Sequence, residues 1–183
     1  MTFQPRHFPD HLFFITGSLV GWLPLLARPE FARHLLDSLD WHRQHQRWSL
    51  YTYVIMPTHV HLLIKPAEGQ TISANLQSFG SFTAHALLKR LRACQMTAEL
   101  DYFASHRQQD ATAKHQVWQP LQAKNVYGPE FLQEKVEYID NNPIAKKWAL
   151  VENRVDYPYS SACYYDRDEG PPVAVDDVRV WLG

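Results

Sequence analysis

The stretch MPTHVHLLIKP, Met56 to Pro66, is a run of apolar residues entered through Thr-His-Val-His and bounded by Pro57 and Pro66. Its length and its proline boundaries predict a short buried strand. Alternate side chains of a strand share a face, so His59 and His61 point one way and Val60 and Leu62 the other. Two imidazoles side by side on one face make half of a metal site, and what completes it must come from elsewhere in the chain.

Just upstream, WSLYTYVIMP (residues 48 to 57) predicts a second strand with Tyr51, Tyr53 and Ile55 on one face. Met56, Pro57 and Thr58 turn tightly between the two, which makes an antiparallel hairpin. Towards the N-terminus, HLFFITGSL (11 to 19) reads as a first strand, followed by the turn-bearing GWLPLLARPE. Pro29 and Glu30 then open a helix to about Gln46, with Phe31, Leu35 and Leu39 at helical spacing.

Downstream, Thr71 to Cys94 predicts a long helix. Leu76, Phe79, Phe82, Thr83, Leu87 and Leu91 form its apolar side, and Ser81, His85, Lys89 and Arg92 line up opposite. Residues 95 to 116 are polar with little periodicity and read as a loop. VWQPLQAKNVY, from Val117, predicts a strand that Pro120 confines to an edge or bulge. Gly128 and Pro129 start another helix with Leu132, Val136 and Ile139 as its buried stripe. Pro143 ends it near Asn142, because the residue before a proline avoids helical geometry. The remainder, rich in Tyr, Pro and Asp, reads as loops with one short helix around Tyr159 to Tyr165.

Strand, helix, strand, strand, helix, strand, helix is the order of an α+β, ferredoxin-like antiparallel sheet packed with helices, plus an added C-terminal helix. This predicts one domain over residues 1–143 and a tail over 144–183 packed on it. No internal repeat or low-complexity segment interrupts the pattern.

The chain has 183 residues, 45% hydrophobic and 20% charged, which describes an ordinary globular protein with a real core. A net charge of −1 gives no global attraction to nucleic acid, so any polyanion site must be a local basic patch. Cys94 and Cys163 lie far apart and suggest neither a disulfide framework nor a zinc motif, which favours a reducing, cytoplasmic setting. MTFQPRHFPDH lacks the apolar core of a signal peptide, and the run from Phe13 to Ala27 is too broken and short to span a bilayer.

The added helix can supply the rest of the site. Tyr138 and Asn142 are four residues apart and share a face, with Tyr138 at the border of the buried stripe. MPTHVHLLI, then WQP before a helix, then EYIDNNP, then DYPYSS resemble, in order and spacing, the single-tyrosine transposases with a His-hydrophobic-His motif. Within these the pattern is most similar to the REP-associated tyrosine transposases, over roughly residues 8 to 165. Pro57-Thr58-His59-Val60-His61 and Tyr138-Ile139-Asp140-Asn141-Asn142-Pro143 are its most specific pieces. Thr58 stands where Asn or Glu is common in that family.

The resemblance implies an enzyme that nicks single-stranded DNA and transfers the strand by transesterification, with a 5′-phosphotyrosine intermediate and hairpin-forming repeats as substrate. On it, Tyr138 is the nucleophile; His59 and His61 bind a divalent cation, Mg²⁺ or Mn²⁺, and Asn142 is the third protein ligand. Asn141 competes with Asn142 for that place, and Tyr127 is the competing tyrosine. Candidate DNA contacts are His85, Lys89 and Arg92 on the long helix, Lys135 one turn before Tyr138, and Lys146 and Lys147 beyond the tyrosine helix. Trp118, Tyr157 and Tyr159 are candidates for base stacking. Relatives include monomers and homodimers formed by merging sheets. Two other readings fit the same residues: a ferredoxin-like single-strand nucleic-acid binding module without chemistry, and a metal hydrolase with an acidic third ligand.

Overall fold

A computed structural model describes residues 11–107 and 113–182. Residues 1–10, whose sequence lacks a signal-peptide core, and 108–112, within the expected loop, lie outside the described residues.

Four strands form one antiparallel sheet: β1 (Leu12–Ser18), β2 (Trp48–Ile55), β3 (His59–Pro66) and β4 (Gln122–Val126), in the order β2-β3-β1-β4. The hairpin pairs Ile55 with Val60 and Trp48 with Pro66, and β3 pairs on its other side with β1, Thr16 opposite His61. β4 closes the far edge with Thr16 opposite Gln122, starting just after Pro120, which cannot donate to a ladder. This is the ferredoxin-like arrangement that the element order predicts, with His59 and His61 on a central strand.

Three of the helices carry capping chemistry that explains their limits. α1 (Pro29–Gln44) has proline and Glu30 in its first turn and His42 and Arg43 in its last, in keeping with the helix dipole. α2 (Ile72–Ala93) is capped by Thr71, whose hydroxyl accepts from the Ala74 N–H. α4 (Pro129–Asp140) begins after Gly128, at φ 76°, which turns the chain sharply out of β4. It ends at Asp140, and Asn142–Ile144 continue as a 3₁₀ turn.

The helices form two layers. Phe13, Ile15, Val60, Leu62 and Ile64 face α1 and α2, meeting Leu35, Leu39, Phe79 and Leu87 in one buried cluster. Leu12, Val54 and Leu63 face the other way, onto Leu132, Val136 and Ile139 of α4. Each fully buried aliphatic side chain contributes about 1.5–3 kcal/mol relative to exposure, so these stripes fix which face α4 covers. The tail joins both clusters, Val173 and Val175 in the first, Tyr157 and Val178 in the second. It contains the short helix α5 (Ala162–Arg167) at the expected place.

Three expectations differ from the structure. Residues Thr97–Ser105 form α3 inside the stretch that reads as a loop; Phe103 is its single fully buried residue, too little apolar content to show a period. Tyr51 does not share a face with Tyr53 and Ile55, because an irregularity in register between Leu50 and Thr52 turns it into the α4-side cluster. Phe82 is exposed and not part of the α2 core face.

Candidate active site

The strand alternation places His59 and His61 together on the α4 side of β3, with ring centroids 4.8 Å apart. α4 lies over β2 and β3 and brings Tyr138 to that pair: its ring centroid is 5.1 Å from that of His61. Tyr138 is 45% exposed, so its hydroxyl can meet a large substrate, whereas both imidazoles are nearly covered. Phe14 of β1 stacks on His61 at 5.3 Å and meets the Tyr138 ring edge-on at 5.9 Å, filling the corner between sheet and helix. Trp148 lies 5.5 Å from His59 on the other side.

Each imidazole is held from behind by a threonine. Thr58 Oγ1 is 2.9 Å from His59 Nδ1, and Thr16 Oγ1, directly across the ladder, is 3.1 Å from His61 Nδ1. When each Nδ1–H donates to its threonine, each Nε2 carries its lone pair and is the atom that can ligate. Burial pushes the His59 imidazole down to about 4, and the Lys147 charge acts in the same direction while the Asn142 amide opposes it. Burial also takes His61 down to about 3, helped by His59 and then by Lys147 and Lys135. Both rings are therefore neutral near pH 7, the form that can ligate.

Asn142 is buried beside them, close enough for its amide to act on His59, and among the described residues its Oδ1 has no partner in hydrogen-bonding geometry. A buried amide oxygen without a partner is costly unless something in the functional state satisfies it. Asn141 is differently engaged: its amide donates to Glu137 and its Oδ1 accepts from Arg154. Two neutral imidazoles and a free amide oxygen fit a divalent cation that keeps open positions for substrate. Among the described residues no three His, Cys, Asp or Glu come together as a metal site. Asp140 is buried and engaged with Thr52 at 2.9 Å, so the acidic third ligand of a hydrolase has no candidate there.

The candidate cations divide into two groups. Lys135 sits against the site, its ammonium 5.4 Å from the Phe14 ring and 5.8 Å from Tyr138, and it pairs with Glu134. Lys146 and Lys147 are both exposed, and Lys147 is close enough to bias both histidines. His85, Lys89 and Arg92 are exposed on α2, in the layer on the opposite face of the sheet. His85 and Lys89 line a groove of about 620 Å³ with Arg33, His34 and Arg90. The structure does not bring them to the histidines. Trp118 and Tyr157 are buried, with the indole donating to Thr83 and the phenol to the Ile55 carbonyl, which removes them as stacking platforms.

Sequence reasoning missed four participants. Thr16 and Phe14 lie 45 or more residues from His61 and became visible only through the β1–β3 register. Thr58, which the sequence marks only as a departure from the residues common at that place in the family, touches His59. Arg154 ties the tyrosine helix to the tail, through Glu137 at 2.8 Å, Asn141 at 3.1 Å and both oxygens of Asp166 at 2.6 and 2.7 Å. Of the acidic residues of the tail, Asp176 accepts from the Leu50 N–H, and Asp177 pairs with Arg179 at the surface.

A ferredoxin-like sheet bearing paired histidines on one face, crossed by a helix that presents a tyrosine to them, is the class of protein that fold and site define. The same fold is found in a solved structure described as a REP-associated tyrosine transposase bound to a REP hairpin. That likeness has a TM-score of 0.61 at 17% identity, over 97% of this chain and 93% of that one. A crystal structure of a candidate transposase from Deinococcus radiodurans R1 is similar over 76% of this chain and 97% of that one, at 17% identity and a TM-score of 0.47. No family model and no curated protein matches the sequence.

Proposed function

We propose that this chain is a metal-dependent transposase and endonuclease of single-stranded DNA, acting by transesterification through Tyr138, with hairpin-forming repeats as substrate. The observation that carries the reading is the approach of the half-exposed Tyr138 ring to the buried His59–His61 pair, beside the unpartnered Asn142 oxygen. The shared fold of the solved REP-associated tyrosine transposase, which is bound to a REP hairpin, supports the substrate class.

His59, His61 and Asn142 would hold a Mg²⁺ or Mn²⁺ ion, which supplies charge to offset that developing on a phosphate. The Tyr138 oxygen attacks the scissile phosphorus and loses its proton as the phosphotyrosine bond forms. The 3′-oxygen departs and takes up a proton, leaving a free 3′-hydroxyl. A phosphodiester is exchanged for a phosphotyrosyl ester, so the strand can be rejoined without a nucleotide cofactor. Phe14 and Lys135 restrict the ring to one side of the cleft, and Lys147 and Lys135 add positive charge where the phosphate would lie.

The test is a denaturing gel of the protein incubated with labelled hairpin oligonucleotides and Mn²⁺. A protein–DNA adduct that resists denaturant is expected, absent in Tyr138→Phe and strongly reduced in His59→Ala. An adduct in the Phe variant removes Tyr138 as nucleophile. Binding without an adduct across many hairpins favours a non-catalytic binding module, and cleavage without an adduct favours hydrolysis.

A further inference from the structure

On the face of the sheet away from Tyr138, α1 and α2 run antiparallel. Arg28, at the start of α1, reaches the Met96 sulfur beyond the end of α2 at 3.0 Å, and His42, near the end of α1, meets Ser78 at 3.0 Å. Between them lies the groove of about 620 Å³, with Glu30, Arg33 and His34 on the α1 wall. On the α2 wall Phe82 is 48% exposed, although its spacing places it with the apolar side of that helix. Ala86, one turn on, and Ala93, two turns further, are small and leave the recess open. Lys89 and Arg90 stand two turns beyond Phe82, about 10 Å along the axis, and the antiparallel alignment puts Arg33 across from them. Glu30 is paired with Arg28 at 2.7 Å, whereas Arg33 has only a long contact to Asp37 at 3.8 Å. Arg90 acts on the Glu30 carboxylate from further off, and among the described residues Lys89 has no ion-pair partner.

The groove is therefore polarised, apolar at the Phe82 end and cationic at the Lys89 end. An apolar recess with a few convergent polar groups is the form of a small-molecule site, and its volume lies within the roughly 300–1,000 Å³ usual for one. An apolar body laid against Phe82 and Ala86 takes a large exposed ring out of water. Three permanent cations against one carboxylate that is already paired call for an anion at the other end. Cations in the last turns of α2 suit its dipole, but that does not account for the phenyl ring beside them. A phosphodiester backbone would use the cations and gain nothing from the phenyl floor. A bilayer surface is flat and does not enter a recess between two helices.

We propose that the groove between α1 and α2 binds a free anionic amphiphile, an alkyl or aryl body about 10 Å long that ends in a phosphate or carboxylate. The body lies against Phe82 and Ala86, and Arg33, Lys89 and Arg90 hold the head. This site lies on the opposite face of the sheet from Tyr138 and does not depend on the reading of that tyrosine as a nucleophile. A ligand held there bridges the two helices and stabilises the folded chain by mass action.

The test is titration calorimetry of the full chain with octyl phosphate below its micellar concentration, set against octanol and inorganic phosphate. One-to-one binding of octyl phosphate is expected, at least about tenfold tighter than either fragment. Phe82→Ser should weaken it about tenfold and Phe82→Leu should retain it, which separates the result from a loss of folding. Lys89→Glu and Arg33→Glu should each weaken octyl phosphate about tenfold and leave octanol unchanged. Octanol binding as tightly as octyl phosphate, or octyl phosphate binding undiminished in Phe82→Ser or Lys89→Glu, overturns the site. No binding of octyl phosphate overturns it as well. In that case, hairpin affinity that falls in the two charge-reversed variants assigns the groove to DNA, and a dimer that Phe82→Ser dissolves assigns it to a second copy of the chain.

Discussion

His59 and His61 are titratable groups kept neutral by their surroundings, and this has a sign that can be measured. In the unfolded chain an imidazole takes up a proton near pH 6.5, but in the fold burial holds the pair down to about 4 and about 3. The unfolded state therefore binds more protons between those limits, and folding stability falls as pH drops from about 6.5 towards 4. Replacing His61 with Gln should remove part of that slope, on the order of 2 kcal/mol across the window, as read by urea unfolding at several pH values without metal. The threonines behind the rings make a second prediction. Thr16→Val keeps the shape and removes the hydroxyl beside His61 Nδ1, and should weaken Mn²⁺ binding by about tenfold in calorimetry without changing the circular dichroism. Unchanged affinity would show that Thr16 does not orient the ring.

At the scale of elements, the placement of α4 depends on two polar contacts besides its apolar stripe. Arg154 joins Glu137 and Asn141, the neighbours of Tyr138 and Asn142, to Asp166 of α5. It is mostly covered, and these are charge-assisted bonds with two forked oxygens, so Arg154→Ala should cost about 1–2 kcal/mol of stability. It should also slow adduct formation while leaving DNA affinity intact, and lysine, which lacks the fork, should not rescue it. The second contact is Asp140, buried between α4 and β2, where Thr52 Oγ1 donates to it and also contacts Ser161. Burial raises this carboxyl to about 7, against the opposing Thr52 hydrogen bond. Here the folded state binds the extra proton, so the contribution of Asp140 to stability is lost as pH rises from about 4 through 7. Asp140→Asn should gain stability relative to the parent between pH 5 and pH 8. Because the histidine and Asp140 effects oppose each other below pH 6.5, each is visible only as a variant-minus-parent difference.

For the whole molecule the tail decides how copies can meet. Along the outer edge of β2, Ile55 N–H donates to the Tyr159 carbonyl, Ser161 N–H to that of Tyr53, and Asp176 N–H to that of Leu50. A strand edge paired in this way cannot add a strand from another copy. β4, at the other edge, is short and carries exposed Lys124, a common way of discouraging edge pairing. Light scattering should therefore find a monomer at micromolar concentration. Removing residues 154–183 should expose the β2 edge together with the apolar patch under Tyr157 and Val178, and drive association. A compact monomer of the shortened chain would show that the tail is not an edge cap. Among the described residues no helix is long and apolar enough to cross a membrane.

Much of this architecture can be read directly in the residues, because its signals are local. The Pro57–Pro66 bounds, the two-residue spacing of His59 and His61, and the 132–136–139 stripe need only strand and helix periods to place histidines and tyrosine on defined faces. α3 escaped because a nine-residue helix with one buried side chain carries almost no period. Tyr51 was misplaced because a single irregularity in register inverts every face assignment beyond it. What only the tertiary structure decided is which faces meet. That α4 lies on the histidine side and α2 on the other, that Asn142 is left unpartnered while Asn141 is engaged, and that Thr16 and Phe14 join the site all depend on packing between segments far apart in the chain. Local sequence determines where a side chain points on its own element. Burial of the two apolar stripes against opposite faces of one sheet determines what it points at.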